Sequence, residues 1–416
     1  MTVFWETKEL GEVAYLAGRI GWKGLTAKEY TTSGPLFTSV HSLNHGDYVD
    51  FGEAFHISQE RYDESPEIML EPNDILICKD GAGIGKVGIV GRLPGPATIN
   101  SSLLLIRAAE GVYPKFLYFG LCSPSFQKIV QERIDGATTP HLYQREIRQF
   151  PIPVPPLPEQ KRIVAILDEA FAGIAAATAN AEKNLANARE LFEATLSNIL
   201  TGNSEDWPRY KLEEMVEANC TLSYGIVQPG EEVADGLPIV RPTDLSRHVI
   251  DLDGLKRIDP ALAHGYSRTK LLGGELLLCV RGSTGGISIA SSELAGGNVT
   301  RGIVPIRFSP SAVSQKLGYY LFLSKHVQDQ IRAATYGTAL MQINIRDLRQ
   351  LAFIVPPSED QPALLRELES IAMNTERLKE IYEQKLTELA DLKQAILQKA
   401  FSGELSGIKT RHCEAA

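Results

Sequence analysis

A chain of 416 residues, 44% of them hydrophobic and 22% charged, is long enough for two or three domains with their own buried cores. Its five cysteines (Cys78, Cys122, Cys220, Cys279 and Cys413) stand far apart without a CxxC pair, which excludes an obvious zinc knuckle or disulfide framework and fits a reducing cytoplasm. The formal net charge of −9, taken as a total, argues against a nucleic-acid partner, because neutralising phosphate needs Lys and Arg.

The charge is uneven along the chain. More than half of the acidic excess falls in two segments, 159–201 and 359–401, whereas 202–358 is balanced. A DNA-binding face would therefore have to be a local basic surface. The N-terminus, MTVFWETKELGEV, has no basic stretch leading into an apolar core, and no continuous run of about 18 apolar residues occurs, so a soluble, unexported protein is expected.

In chain order, the first stretch reads as short strands (PLFTSV, DILIC, SSLLLIRA) broken by Gly, Pro and Asn, followed by helical sequence in KFLYFGLCSPSFQKIVQERI. A proline cluster, Pro151, Pro153, Pro155, Pro156 and Pro158, forms a stiff exit that neither a ladder nor a helix interior would accept. A long helix is predicted over 159–200, stopped by Gly202. The pattern then starts again. LPIV, ELLLCV and IVPIRF repeat the strands, QKLGYYLFLSKHVQDQIRAA the helices, and 359–401 a second long helix with Gly403 behind it.

The restatement is regular, with a period of about 201 residues. Trp5 falls on Trp207, Cys78 on Cys279, Gly136 on Gly337, Gln160 on Gln361 and Leu196 on Leu397. A unit this long is a duplicated domain plus helix, not a solenoid repeat. The fold class expected is α+β, with two tandem recognition domains separated and followed by long helices. The boundaries are 1–158, 159–202 (helix), 203–358, 359–403 (helix) and a tail, 404–416. The matched segments look like framework and the loops between them differ, as two copies presenting different surfaces to one partner would.

Apolar spacing of four and three predicts that the helices pair as an antiparallel coiled coil. The second helix offers Leu364, Leu368, Ile371, Leu378, Tyr382, Leu389, Leu392 and Ile396. The first offers Ile163, Leu167, Ala170, Ile174, Ala177, Ala181, Ala188 and Leu191, with alanines permitting close approach.

The phrase PIPVPPLPEQKRIVAILDEA resembles the conserved helical region of type I restriction-modification specificity subunits, and FIVPPSEDQPALLRELE does so more weakly. GATTPHLYQREIRQF and YGTALMQINIRDLRQL resemble the closing strands of that family's target recognition domains, and ILTGNSEDW its junction into the second one. The resemblance covers the whole chain in order. It departs at the second exit, where Asp360-Gln361-Pro362 replaces the usual Glu-Gln, and Pro362 is acceptable in a first helical turn. It implies a non-catalytic reader of a split double-stranded DNA site. Each domain reads one half, and the helix pair sets the gap and docks two modification subunits that methylate adenine. S-adenosylmethionine, ATP and Mg would then belong to modification and restriction subunits, with no cofactor on this chain.

The catalytic motifs agree with that division. No FxGxG with an Asp/Asn-Pro-Pro-Tyr/Phe tetrad occurs, no paired carboxylates with a following lysine mark a nuclease, and the eight histidines are scattered. GIGKVG at 83–88 spells GxGxxG, but Val follows Lys86, no helix can open there and the repeat partner GSTGG lacks the motif. A strand-to-strand loop near phosphate fits better. The acidic total alone leaves a protein-binding adaptor open; the PPLPEQKRI resemblance opposes it.

Base edges are read by polar side chains, so the candidates are polar residues that differ between copies. In the first domain these are Ser39, His41, Lys79, Lys86, Asn100, Ser101, His141 and Tyr143. In the second they are Arg241, Thr243, Arg281, Ser283, Thr284, Asn298, Arg301, Gln342 and Asn344. The exposed helix faces are the expected docking surface for modification subunits.

Overall fold

The computed structural model describes residues 5–19, 25–134, 141–201, 206–337 and 341–406. Gly136, Gly202, Cys413 and the tail from 407 lie outside the described residues. Two compact units are present, one made of 1–181 with 384–416 and the other of 182–383.

The first unit is built on a four-stranded antiparallel sheet in the order Ala14–Gly18, Leu103–Ala108, Ile75–Cys78, Val87–Ile89. Ile75–Cys78 and residues 103–106 of the central strands are apolar at every position because both faces are covered. Ile75, Ile77, Leu104 and Ile106 face a core shared with the helices Pro114–Cys122 and Pro124–Glu132. Leu76, Cys78, Leu103 and Leu105 face a second core. Beside this second core runs a three-stranded sheet, Phe55–His56, Thr31–Thr38, Ala97–Ile99.

The second unit repeats the plan. Its four-stranded sheet runs Val249–Ile250, Ile287–Ala290, Leu276–Cys279, Ile303–Ile306, and Leu276 and Leu277 again go to opposite cores. Its three-stranded sheet is Lys256–Ile258, Leu237–Val240, Asn298–Val299. The helical run predicted in each unit breaks at Ser123 and at Ser324. Each serine hydroxyl donates to a carbonyl of the preceding helix at 2.6 Å and caps the helix that follows.

The proline exit is more ordered than the sequence implies. Pro151–Val154 is a strand, antiparallel to Glu6–Glu9, and Ala352–Ile354 pairs with Arg209–Lys211 in the same way. Alternate residues of a two-stranded ribbon turn their N–H away from the partner, so Pro151 and Pro153 fit without losing ladder bonds. Conversely, Gln144–Ile147 and Ile345–Arg349, in the stretches resembling closing strands, are short helices.

The long helices span Leu157–Thr201 and Gln361–Phe401, about 65 and 60 Å at 1.5 Å per residue. Pro158 and Pro362 sit in the first turns, where no intrahelical donor is lost. In the first unit Ile163, Leu167 and Phe171 share a core with Leu397, Ala400 and Phe401, and the Phe401 ring lies 4.9 Å from Phe116. In the second unit Leu196 and Leu200 share a core with Leu368. The beginning of one helix thus joins the end of the other in one unit, and the reverse holds in the other unit, as antiparallel pairing requires. Gly403, at φ +84°, terminates the second helix in the left-handed conformation.

Three predicted seam residues are misplaced. Leu191, Leu378 and Leu392 are 61%, 39% and 47% exposed. Phe192, half-buried, packs against the second unit's core in place of Leu191. Near Leu392 the inward position belongs to Lys393, whose stem lies along the seam while its ammonium sits 5.1 Å over the Phe171 ring and 3.7 Å from Asp47. Ile163, Leu167 and Leu368 are buried, Ile174 and Ile396 pack against the first unit's core, and Leu364, Ile371 and Leu389 are half-buried. One 18-residue window of the first helix reaches a mean hydropathy of 1.4, long and apolar enough to cross a bilayer by composition. The helix is rich in alanine, with Ala181 and Ala188 buried and Ala165, Ala172, Ala175 and Ala176 exposed.

Each long helix is tied to its domain by the same two devices. Gln160, fully buried, donates from Nε2 to Pro155 O (2.8 Å) and Gly111 O (3.1 Å) and accepts from Tyr113 N (2.7 Å). Gln361 donates to Pro356 O (3.1 Å) and Ala312 O (3.0 Å), the matching carbonyls of the repeat. Two turns further on come the ion pairs Lys115–Asp168 (2.8 Å) and Lys316–Glu369 (2.7 Å).

Gln160→Ala would strand three backbone groups in a dry site. It is expected to lower unfolding stability by about 3 kcal/mol, read as a drop in the urea midpoint. A loss under about 0.5 kcal/mol would show that the glutamine is not a clamp.

Candidate nucleic-acid interface

A sheet covered on both faces opens to solvent at its strand ends, and the polar candidates gather there. In the first unit Lys79 N donates to Ser102 O, Leu142 N to Lys79 O, Asn100 N to Thr38 O and Cys78 N to Lys86 O, each at 2.9 Å. These bonds draw Ser39, Lys79, Lys86, Asn100, Ser101 and His141 to one end of the sheet from widely separated stretches. In the second unit Val280 N donates to Gly302 O (2.8 Å), Ile343 N to Val280 O (3.0 Å), Thr300 N to Val240 O (2.9 Å) and Cys279 N to Gly286 O (2.7 Å). Arg241, Arg281, Ser283, Thr284, Arg301 and Gln342 are assembled by this equivalent network.

The GxGxxG stretch is a hairpin. It joins Ile75–Cys78 to Val87–Ile89, with Gly81 at φ +78° and Gly85 at φ +85°. Its counterpart joins Leu276–Cys279 to Ile287–Ala290, with Gly282 at φ +88° and Gly285 at φ +90°. No helix follows either, so the phosphate-loop geometry is absent from both. A buried thiol braces each turn: Cys78 Sγ donates to Asp80 O at 3.2 Å and Cys279 Sγ to Arg281 O at 3.3 Å. Burial raises both thiol pKa values, which keeps them protonated as donors.

On this shared backbone the side chains differ. Single bridges join Asp80 to His141 and Arg281 to Gln342, at equivalent places in the repeat. In the first unit Asp80 accepts from Lys79 Nζ (3.0 Å) and contacts His141 Nδ1, and the His141 ring meets exposed Tyr143 edge-on at 4.5 Å. Arg145 lies 5.0 Å over Tyr143. Lys86 Nζ reaches Asn44 Oδ1 at 2.7 Å, and His41 and Ser101 are exposed. In the second unit Arg281 keeps its buried Nε without an acceptor in the protein, Arg301 and Ser283 are exposed, and Thr284 accepts from Thr335 (3.3 Å). Asn344 is exposed and accepts from Tyr336 Oη at 2.6 Å.

Three candidates are bonded within the fold. Asn298 is 2% exposed; its Oδ1 accepts from Thr269 Oγ1 (2.7 Å) and Val299 N, and its Nδ2 donates to Tyr266 O (3.1 Å). All of its polar atoms are used inside the fold, so it is a framework residue. Arg241 is held by both oxygens of Asp244, at 3.2 and 2.9 Å, and Thr243 lies beside the same carboxylate, which closes a local turn. Sequence reading missed Asn44, Asp80, Arg145 and Tyr336. The reversal of charge from Asp80 to Arg281 at matched positions was the available signal for the second of these. Among the described residues, no group of three His, Cys, Asp or Glu is arranged to hold a metal ion.

The family profile described as "Type I restriction modification DNA specificity domain" matches residues 3–185. The chain is 26% identical over 360 residues to the type I restriction enzyme EcoBI specificity subunit of Escherichia coli, covering 80% of this chain and 74% of that one. It is 21% identical to the EcoKI specificity subunit of E. coli K12, covering 94% and 91%. The profile and the relatives point the same way: over nearly its whole length the chain is similar to the specificity subunits of type I restriction-modification enzymes. The same fold occurs in a chain solved to show the structural basis of complex assembly and conformational transition of a type I system. That match has a TM-score of 0.74 and 19% identity and covers 96% of this chain and 97% of that one. The crystal structure of the HsdS subunit from Thermoanaerobacter tengcongensis matches with a TM-score of 0.53 at 19% identity, with the same coverage.

If Asn298 is framework, Asn298→Ala should cost about 2 kcal/mol of stability, measured by urea denaturation, and leave any base preference intact. A changed preference at full stability would return it to the DNA-reading set.

Proposed function

We propose that this specificity subunit reads a split DNA target, one half through each domain, with its two strand-end clusters as the reading surfaces. The observation that carries this reading is the pairing of one backbone with two sets of side chains. At matched positions the first unit offers Asp80, His141 and Tyr143, and the second Arg281, Gln342 and Asn344. Donor and acceptor patterns this different suit different base sequences. Lys86, Arg301 and Arg281 are the groups placed to meet phosphate, and local placement reconciles them with a net charge of −9.

The antiparallel helices act as the ruler for the unread gap and dock two modification subunits, which bring S-adenosylmethionine and methylate adenine; restriction subunits add ATP and Mg chemistry. The chain itself carries no cofactor and works in the cytoplasm. Exposed apolar residues on the helices, Leu191, Met373, Leu378, Ile381 and Leu392, support docking, since isolated solvated helices have little use for them. The remaining domain boundaries follow from the repeat: recognition modules at 1–158 and 203–358, helices at 159–202 and 359–403.

Methylome sequencing of a host expressing this chain with its modification subunit, with and without an intact copy, tests the reading. A split adenine-methylated motif that vanishes on deletion is expected. Unchanged methylation with an active modification subunit would favour a protein-binding adaptor instead. Inserting four residues, about 6 Å of helix, is expected to lengthen the gap in the motif, and an unchanged gap would refute the ruler. Lys86→Ala should weaken binding to all sequences alike and reduce the slope of log affinity against log salt by about one, measured by titration across salt concentrations.

A further inference from the structure

Behind each recognition hairpin stands a glutamine that the repeat retains and that no base-reading argument uses. Gln127, in the helix Pro124–Glu132, donates from Nε2 to Gly85 O (2.9 Å) and to Leu121 O (2.7 Å). Gln328, in Lys325–Ala334, donates from Nε2 to Gly285 O (3.1 Å) and to Phe322 O (2.8 Å). Both protons of one amide are spent on two acceptors: a hairpin carbonyl and a carbonyl in the last turn of the preceding helix, which has no intrahelical donor of its own. The match extends to the glycine. Gly85 and Gly285 both adopt a left-handed φ, and a Cβ on either would stand 2.7 or 2.8 Å from the glutamine Oε1. Val130 and Ile331 fill the same place beside them, each 3.3 Å from that Cβ position.

The braced residue adjoins the reading groups. Gly85 precedes Lys86, and Gly285 follows Ser283 and Thr284. Residues this close to the tip inherit its orientation, and a bidentate base contact tolerates little rotation. The brace touches no group that could reach DNA from the helix side, since its amide is occupied by the protein.

We propose that Gln127 and Gln328 are specificity-positioning residues, each fixing the aim of one recognition hairpin and so the base discrimination of one half-site. This rests on the reading of the two domains as half-site readers. Its consequence is separable: loosening one brace blurs one half of the target and leaves the other sharp.

The test uses the full chain in complex with its modification subunits. Affinity is measured for a duplex carrying the methylated split site and for duplexes with one base changed in either half. Gln127→Met keeps the volume and loses both donors; Gln127→Glu keeps the shape and an acceptor but cannot donate. With either, the penalty for a wrong base should fall roughly tenfold in one half only, the size of one good side-chain–base pairing. Gln328→Met should do the same in the other half. A merely structural role would reduce the active fraction, scored by stoichiometric titration, while leaving the ratio of cognate to changed-site affinity unmoved. Unaltered ratios, or equal losses in both halves, would overturn the proposal. A wild-type complex that prefers no split site would overturn the half-site reading and this inference with it.

Discussion

Covering a sheet on both faces forces the rest of this architecture. Ile75, Ile77, Leu104 and Ile106 need helices on one side, and Leu76, Cys78, Leu103 and Leu105 need a second layer on the other. With both faces consumed, variable polar residues can be placed only at strand ends, where loops from several layers converge. The backbone bonds among residues 38, 78–79, 86, 100–102 and 142 turn those loops into a surface stiff enough to discriminate. Stiffness of this kind lets side chains diverge without losing their placement, and duplication can then yield two readers from one plan.

The pairs that hold framework to framework survive in both copies with their chemistry intact. Arg107 binds buried Asp74, and Arg307 lies 3.8 Å from buried Glu275. The helix-start glutamines, the Lys–carboxylate pairs and the hairpin glutamines likewise recur. A buried polar group left without its partner costs more than the pair contributes, so each partner constrains the other. Asp80 pairs with Lys79 and His141, which the repeat replaces by Val280 and Gln342, so no retained partner holds Asp80 and Arg281 to one chemistry.

Much of this was legible in the sequence because the anchors are residue types with narrow uses: tryptophan, cysteine, proline and glycine at a constant offset. The strand cores were legible as unbroken apolar runs. What escaped was decided by partners far along the chain. Asn298 looks like a reader until Thr269, 29 residues away, is seen to bond it. Lys393 reads as solvent-facing and Leu392 as seam, because a residue alphabet divided into polar and apolar hides the four methylenes of a lysine. Pro151 and Pro153 read as breakers, since the open side of a two-stranded ribbon is not visible in one segment. Gln127 and Gln328 could have been found: an identical residue persisting at the repeat offset within diverged surroundings was the signal.

Phe401 packs against Phe116 in the core of the first unit, which also holds Leu397 and Ala400. The first unit is therefore discontinuous in sequence, while the second is a single stretch, 182–383. For a chain made from its N-terminus, this inverts the customary order of maturation. The later domain holds all of its own parts as soon as it emerges, and the earlier one must wait, with an unfilled groove, for the last turns of helix to be translated.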